Sequence, residues 1–247
     1  MKLRILSYNI HKGFNKWGSS FVLPQIRKAI RSTEADLVLL QEVVGENARH
    51  KKNIELWPEE SQFEFLADEA WPHFSYGKNA VYTERNHGNA VLSRFPILNW
   101  AQVNLSTHRW EQRGLLHCKI ELLPSGKVVH VLNVHLDLLH RGRLKQIHQI
   151  LDYAQQLSHH EPVILAGDFN DWSCQLTKPL LQQEIRECFV ELYGRHPMTF
   201  PSPRPILSLD RVYSRGLAPL KASVLTGPPW DYLSDHYPLL VELDLSS

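Results

Sequence analysis

Residues 115–136 read LLHCKIELLPSGKVVHVLNVHL, and the fold turns on how this stretch is read. Leu115–Leu123 and Lys127–Leu136 are two apolar runs, and Pro124-Ser125-Gly126 between them is a turn signal. The spacing predicts a β-hairpin, which a purely parallel doubly wound sheet does not accommodate. Downstream, Ile147, Ile150, Leu151, Ala154 and Leu157 recur at helical spacing. Pro162–Gly167 reads as a short buried strand, 176–185 as helical, and Leu209–Tyr213, Ala218–Leu225 and Leu239–Leu243 as strands. Upstream, Leu3–Ile10 is a β run, and Leu23, Ile26, Ala29 and Ile30 predict a helix with Ser19 and Ser20 as caps. Asp36–Val44 (DLVLLQEVV) is continuously apolar, as in a strand buried on both faces. Phe63, Leu66, Ala67 and Ala70 suggest a further helix, and Asn89–Leu92 a further strand. Hairpins mixed with helices predict a mixed-sheet α/β chain: two sheets packed together with helices outside. No repeat or low-complexity linker divides the chain, so one domain over residues 1–247 is expected.

Composition excludes several function classes. With 27 Lys and Arg against 26 Asp and Glu, the net charge is +1, too small to hold nucleic acid by bulk charge. Twelve Gly, 15 Pro, 43% hydrophobic and 21% charged residues exclude collagen-like, disordered and coiled-coil chains. Cys118, Cys174 and Cys188 form neither a disulfide framework nor a zinc motif, which suits a reducing compartment. No stretch approaches the roughly 20 apolar residues of a membrane span. A cytoplasmic monomer is expected, with peripheral membrane contact left open.

The chemistry is carried at strand ends. Tyr8-Asn9-Ile10, Gln41-Glu42-Val43, Val134-His135-Leu136, Gly167-Asp168-Phe169-Asn170, Leu209-Asp210-Arg211 and Ser234-Asp235-His236 each close or open an apolar run with a chemically capable side chain. Buried carboxylates are costly unless paired or bound to metal. Glu42, Asp168, Asp210 and Asp235 would repel one another if brought together, and a divalent cation is the simplest remedy. All-oxygen ligands point to Mg²⁺ or Mn²⁺. In extended chain Asp168 and Asn170 share a face while Phe169 packs away, and Gly167 admits a close neighbour. Taken singly, each segment has an ordinary reading. Asn9 suits a turn, His135 a core histidine, Asp210 an ion pair with Arg211, and Asp235-His236 a surface turn. Six such segments in one chain point instead to a common site.

The segments SYNIH, LLQEV, GNAVLSRFP, QRGLL, LNVHL, LAGDFN, LDRVY and SDHYPL, in this order from Leu6 to Pro238, resemble the endonuclease/exonuclease/phosphatase superfamily. Residues 199–216, TFPSPRPILSLDRVYSRG, further resemble a bacterial branch whose substrates are poorly defined. The resemblance implies a four-layer α/β sandwich (DNase I-like), two packed mixed β-sheets flanked by helices, with the active site at one edge. It implies that Glu42, with Asn9 and Asp235, binds metal. It makes Asp168 and Asn170 the pair that orients the attacking water, and gives Asn170, His135 and Arg113 to the substrate phosphate. Asp210 would orient His236, and either His236 or Asp168 would take the proton from water. Arg211 departs from the family pattern, replacing an aromatic that many member nucleases carry after the orienting aspartate. Gly88 and Asn89 read as a close-packing turn beside the site.

The expected activity is metal-dependent hydrolysis of a phosphodiester by an activated water, on a nucleic acid, lipid or small molecule. The alternatives are a DNA endonuclease or exonuclease of the repair type, and a catalytically silent binding protein. A DNA enzyme needs a basic track, for which Arg27–Arg31, Arg49–Lys52 and Arg141–Lys145 are candidates. Trp17, Trp110, Trp172, Trp230 and Tyr232 would stack on bases or face lipid, and an exposed pair at Trp110 and Trp230 would favour lipid.

Overall fold

A computed structural model describes residues 2–47, 54, 56–82, 85–107, 112–158 and 160–246. The elements are β1 (Lys2–Asn9), α1 (Leu23–Ser32), β2 (Leu37–Asn47), α2 (Gln62–Ala67), β3 (His73–Tyr82), β4 (Arg85–Ser93), β5 (Ile97–Asn104), β6 (Gly114–Leu122) and β7 (Lys127–His135). They continue with α3 (His140–Gln155), β8 (Val163–Asp168), α4 (Thr177–Leu181), β9 (Arg186–Glu187), α5 (Cys188–Tyr193), β10 (Asp210–Arg215), β11 (Pro219–Val224), α6 (Trp230–Leu233) and β12 (Leu239–Asp244). One six-stranded sheet has the order β11-β12-β1-β2-β4-β3, the other β5-β6-β7-β8-β10-β9. Both are mixed, because β1 pairs parallel with β2 and β7 with β8, while β6 and β7 form the expected antiparallel hairpin.

The two-residue period of a strand explains the layers. Leu3 and Ile5 of β1 and Leu37 and Leu39 of β2 face the other sheet, meeting Val129, Val131, Ile164 and Ala166. Leu6, Tyr8, Val38 and Leu40 face outward onto α1 and α2, together with Trp71. On the far side, Leu132, Val134, Val163 and Leu165 pack against Ile147, Ile150 and Leu151 of α3 and Leu180 of α4. The result is a four-layer α/β sandwich of two sheets between helices. Strands buried on both faces have no polar face, hence the unbroken run at Asp36–Val44.

The gap between the sheets is not wholly apolar. Gln41 Nε2 donates to Asn133 Oδ1 at 2.8 Å, and Asn133 Nδ2 donates to the carbonyls of Leu40 (2.9 Å) and Ala90 (2.8 Å). Asn89 Nδ2 donates to the carbonyls of Gly114 and Asn133. Gly88 and Asn89 lie inside β4 rather than in a turn. A Cβ on Gly88 would stand 1.9 Å from the Gly77 carbonyl oxygen, so the glycine serves strand-to-strand approach.

Several local expectations change. Helix α1 begins after Val22 with Pro24 in its first turn and no side-chain cap, while Ser19 Oγ engages Asn15 instead. Trp230 is buried, edge-on to Tyr8 at 5.7 Å between ring centres, so it offers no lipid-facing surface. Trp110 and Arg49–Lys52 lie outside the described residues. Arg27 and Arg31 of α1 both pair with Asp68. Arg143 does not line the site: it is buried, donates to the carbonyls of Asp137 and Leu138, and stacks on Trp172. Among the described residues no helix is long and apolar enough to cross a membrane.

Candidate active site

The topology delivers the strand ends to one edge. Parallel pairing puts Asn9 beside Gln41, and His135 beside Asp168. Antiparallel β10 enters at the same edge, with Asp210 opposite Asp168. The turn before β12 supplies His236, tied to the start of the chain by Ser234 Oγ, which donates to the Asn9 carbonyl at 2.8 Å. Parallel strands at the centre of each sheet thus finish where antiparallel ones begin.

Asp168 stands at the centre. Its Oδ2 accepts from Asn9 Nδ2 at 3.1 Å and lies 3.4 Å from His135 Nε2 and 3.8 Å from His236 Nε2. Its Oδ1 accepts from the Asn170 backbone N–H at 2.9 Å. Asp168 and Asn170 therefore come together through a turn, not through strand alternation: β8 stops at Asp168, and Asn170 takes a left-handed φ of 49°. Asn170 Nδ2 donates to the Leu136 carbonyl at 3.0 Å. Phe169 packs away against Tyr213, as expected. Gly167 brings β7 and β8 together, since a Cβ there would meet the Val134 carbonyl oxygen at 2.0 Å.

Asp210 pairs with His236 rather than with Arg211. Its Oδ2 accepts from His236 Nδ1 at 2.8 Å. Arg211 is fully buried and donates to the carbonyls of Ser208, Asp210 and Asp171. Burial pulls the His236 imidazole down in pKa, but the charges of Asp210 and Asp168 outweigh it and raise it to about 10. Burial, reinforced by Asp210, pushes the Asp168 carboxyl up, and the neighbouring His236 only partly opposes this. His135 moves the other way: burial and the Arg113 charge push it well below its ordinary range, leaving a neutral ring.

Glu42 occupies a β-bulge, where the β2–β4 register shifts between Leu40 and Val43, and its φ is 56°. Burial disfavours its charged form, yet the positive groups around it hold its carboxyl below the usual range. His135 is the strongest of these, followed by Lys12, whose Nζ is 3.0 Å from Oε2, and by His11. Lys12 sits in a run of three left-handed residues, His11, Lys12 and Gly13 (φ 46°, 58° and 80°). Gln62 of α2 braces that run, donating to the Lys12 carbonyl at 2.9 Å while accepting from the Val44 N–H.

A cavity of about 460 Å³ opens here. Glu42, Arg113, His135, Asp168, Asn170 and His236 line it, joined by Lys12, His87 and Gln112, which the sequence reading did not single out. Asn9 and Asp210 stand behind its wall and act through Asp168 and His236. Asp235 is not in the wall. Its Oδ1 accepts from Ser234 Oγ and lies 3.8 Å from His11 Nδ1. Arg113 is held by its own backbone, which donates to Ser106 Oγ and accepts from the Leu105 N–H.

The donor set fits a divalent cation. Glu42 Oε2, which Lys12 Nζ approaches at 3.0 Å, and Asp210 Oδ1, which has no hydrogen-bond partner among the described residues, are buried carboxylate oxygens, and one atom each of Asp168, Asp210 and His236 lie within 4.8 Å of one another. Hard oxygen ligands with surplus negative charge suit Mg²⁺ or Mn²⁺.

Known proteins resemble this chain in sequence or in architecture. The chain is 43% identical over 243 residues to the uncharacterized protein YbhP of Escherichia coli (strain K12), covering 98% of this chain and 96% of that one. Among solved structures it resembles an endonuclease/exonuclease/phosphatase from Beutenbergia cavernae, with a TM-score of 0.80 at 21% identity, covering 99% of this chain and 72% of the other. It also resembles the mannosyl-6-phosphatase Bt3783 of Bacteroides thetaiotaomicron, with a TM-score of 0.73 at 19% identity, covering 98% and 100%. The pattern of one family matches residues 6–236, from β1 through the histidine that Asp210 holds. The chain belongs to the Endonuclease/Exonuclease/phosphatase family.

Proposed function

We propose that this protein is a divalent-metal-dependent phosphodiesterase in which water attacks phosphorus. The observation that carries the reading is the buried Asp168, between neutral His135 and the Asp210-held His236, in the wall of a cavity that also contains Glu42. A cation held by Glu42 would neutralise charge on the phosphate oxygens. Asp168 is the acceptor for the water proton, because His236 held as imidazolium has no free lone pair. Its raised pKa makes it a stronger base than an ordinary carboxylate. Asn9 and Asn170 fix the orientation of that carboxylate. His236, Arg113 and Lys12 offer positive N–H groups to the phosphoryl oxygens, and His135 a neutral ring beside them. The whole chain acts as one domain in this reading.

The silent-binder alternative leaves Asp168, Asp210 and His236 buried together without a use, an arrangement that costs stability. The repair-nuclease alternative loses Arg27, Arg31 and Arg143, which are engaged within the fold. The deciding experiment assays abasic, nicked and single-stranded DNA, RNA, phospholipids and a generic aryl phosphodiester with Mg²⁺, Mn²⁺ or EDTA. Metal-dependent diester hydrolysis, abolished in Glu42→Ala, Asp168→Ala and His236→Ala, is expected. Full activity in all three folded variants would sink the assignment.

A further inference from the structure

Trp172 lines the active-site cavity, two residues after Asn170, whose backbone N–H holds Asp168. Two residues of chain span at most about 7 Å, so the indole stands beside the scissile position. One face of its ring is taken. The Arg143 guanidinium lies over that face, 4.4 Å from the ring centre. Arg143 is buried while Trp172 is half exposed, so the exposed half is the opposite face, turned to the cavity that Trp172 lines. Leu138, also half exposed, lines the same cavity.

The ring is held from behind and through its own backbone. Arg143 Nη1 donates to the carbonyls of Asp137 at 3.3 Å and Leu138 at 2.6 Å. Its Nε is buried with no hydrogen-bond partner among the described residues. Burying a guanidinium with an idle donor costs stability, and the contact that it secures is the one with Trp172. On the backbone side, Asp171 pins the turn. Its Oδ1 accepts from Ser173 Oγ at 3.0 Å, its Oδ2 from the Leu176 N–H at 2.9 Å, and its carbonyl from Arg211 Nη2 at 3.2 Å. A flat aromatic face is thus fixed at the cavity before anything binds there.

A face of this kind selects by shape. A planar ring gains its full contact only against a flat surface that is already held still, and stacking of this sort tolerates any ring with a π-face. An acyl chain is flexible and gains nothing from a ring held at one angle. A quaternary ammonium would meet the Arg143 charge through the indole, so cation–π capture is disfavoured. We propose that Trp172 is a stacking platform for a planar aromatic ring on one arm of the substrate, a nucleobase or an aryl group. The turnover part of this inference rests on the phosphodiesterase reading. The binding part rests on Trp172 alone.

The test separates the two. Metal-free protein is titrated by calorimetry with thymidine 5′-monophosphate, benzyl phosphate, cyclohexylmethyl phosphate and octyl phosphate. Benzyl and cyclohexylmethyl phosphate differ in aromaticity at nearly equal size. Both aromatic esters are expected to bind at least about fivefold more tightly than the cyclohexylmethyl ester. Trp172 lies outside the hydrophobic cores, so its replacement leaves them untouched. Trp172→Leu is expected to abolish the aromatic preference and Trp172→Phe to keep most of it. The aromatic ester that loses more affinity in Trp172→Leu identifies the ring as nucleobase or aryl group. Equal binding of benzyl and cyclohexylmethyl phosphate by the parent chain, or a preference that survives Trp172→Leu, overturns the platform. Octyl phosphate binding more tightly than either aromatic ester overturns it in favour of a lipid arm. In turnover, kcat/KM for benzyl methyl phosphate relative to cyclohexylmethyl methyl phosphate is expected to fall at least about fivefold in Trp172→Leu. An aromatic preference in binding with hydrolysis of neither diester supports the platform and overturns the phosphodiesterase reading instead.

Discussion

Gln41 reaches across the gap between the sheets to Asn133 at 2.8 Å, one residue before Glu42 and two before His135. The side chains that fix the spacing of the sheets are therefore chain neighbours of the groups that need that spacing. Asn133→Leu removes the acceptor of Gln41 and the donor to Leu40 and Ala90, leaving buried polar atoms unpaired. A loss of about 2–4 kcal/mol is expected. Urea unfolding measures it, and an unchanged midpoint at constant slope would contradict it.

The Asp210–His236 pair makes a pH-dependent contribution in the metal-free protein. The folded pKa of about 10 lies above the unfolded value of 6.5, so the stabilisation is complete below pH 6.5 and disappears as the pH rises through 10. Asp210→Asn removes the larger of the two charges that raise it. The His236 ring, followed by NMR, is then expected to titrate several units lower. A titration midpoint that stays put would show that Asp210 is not the cause.

Lys12 Nζ stands 3.0 Å from Glu42 Oε2, an oxygen that the proposed cation would take. Replacing Lys12 with Met removes that competitor. Only the Lys12 end of this pair is exposed; with the pair worth about 1 kcal/mol, Mn²⁺ is expected to bind about fivefold more tightly to Lys12→Met by calorimetry, although phosphate binding weakens. Weaker Mn²⁺ binding would overturn the competition.

Away from the site, Tyr153, His117, His130 and Glu161 form a chain of hydrogen bonds of 2.7–2.8 Å. Burial, helped by His130 and Lys119, lowers His117 to about 4. Its folded pKa lies below the unfolded 6.5, so its contribution is present above pH 6.5 and is lost as the pH falls toward 4. Urea midpoints at pH 7 and pH 5 are expected to differ less in His117→Phe than in the parent chain. Equal differences would remove His117 as the source.

Much of the site was legible because its residues end strands whose apolar runs stand out, as at Leu40-Gln41-Glu42 and Leu165–Asp168. Family resemblance then assigned their roles. The fold was read where both faces of a strand are buried or a turn is marked by Pro-Ser-Gly. It was not read at β5, where most side chains are exposed, nor at β3, whose His73 and Lys78 blur the pattern. Helices α5 and α6 are only six and four residues long, too short for a periodic signal. Lys12 escaped notice because its placement depends on three left-handed residues and on Gln62, fifty positions away. Gln41 and Asn133 lie inside runs that read as apolar strands. Only the pairing of two sheets shows what they join.

The bond from Ser234 to the Asn9 carbonyl also dictates when the two ends of the chain can meet at this edge. The growing polypeptide releases Asn9 early, but the partner that completes the site leaves the ribosome more than two hundred residues later, roughly 10–50 s at ordinary synthesis speeds. Until then β1 lacks β12, and the nascent chain carries an unpaired strand edge and no assembled centre. Premature termination anywhere before His236 yields a product without β12 and without the histidine that Asp210 holds.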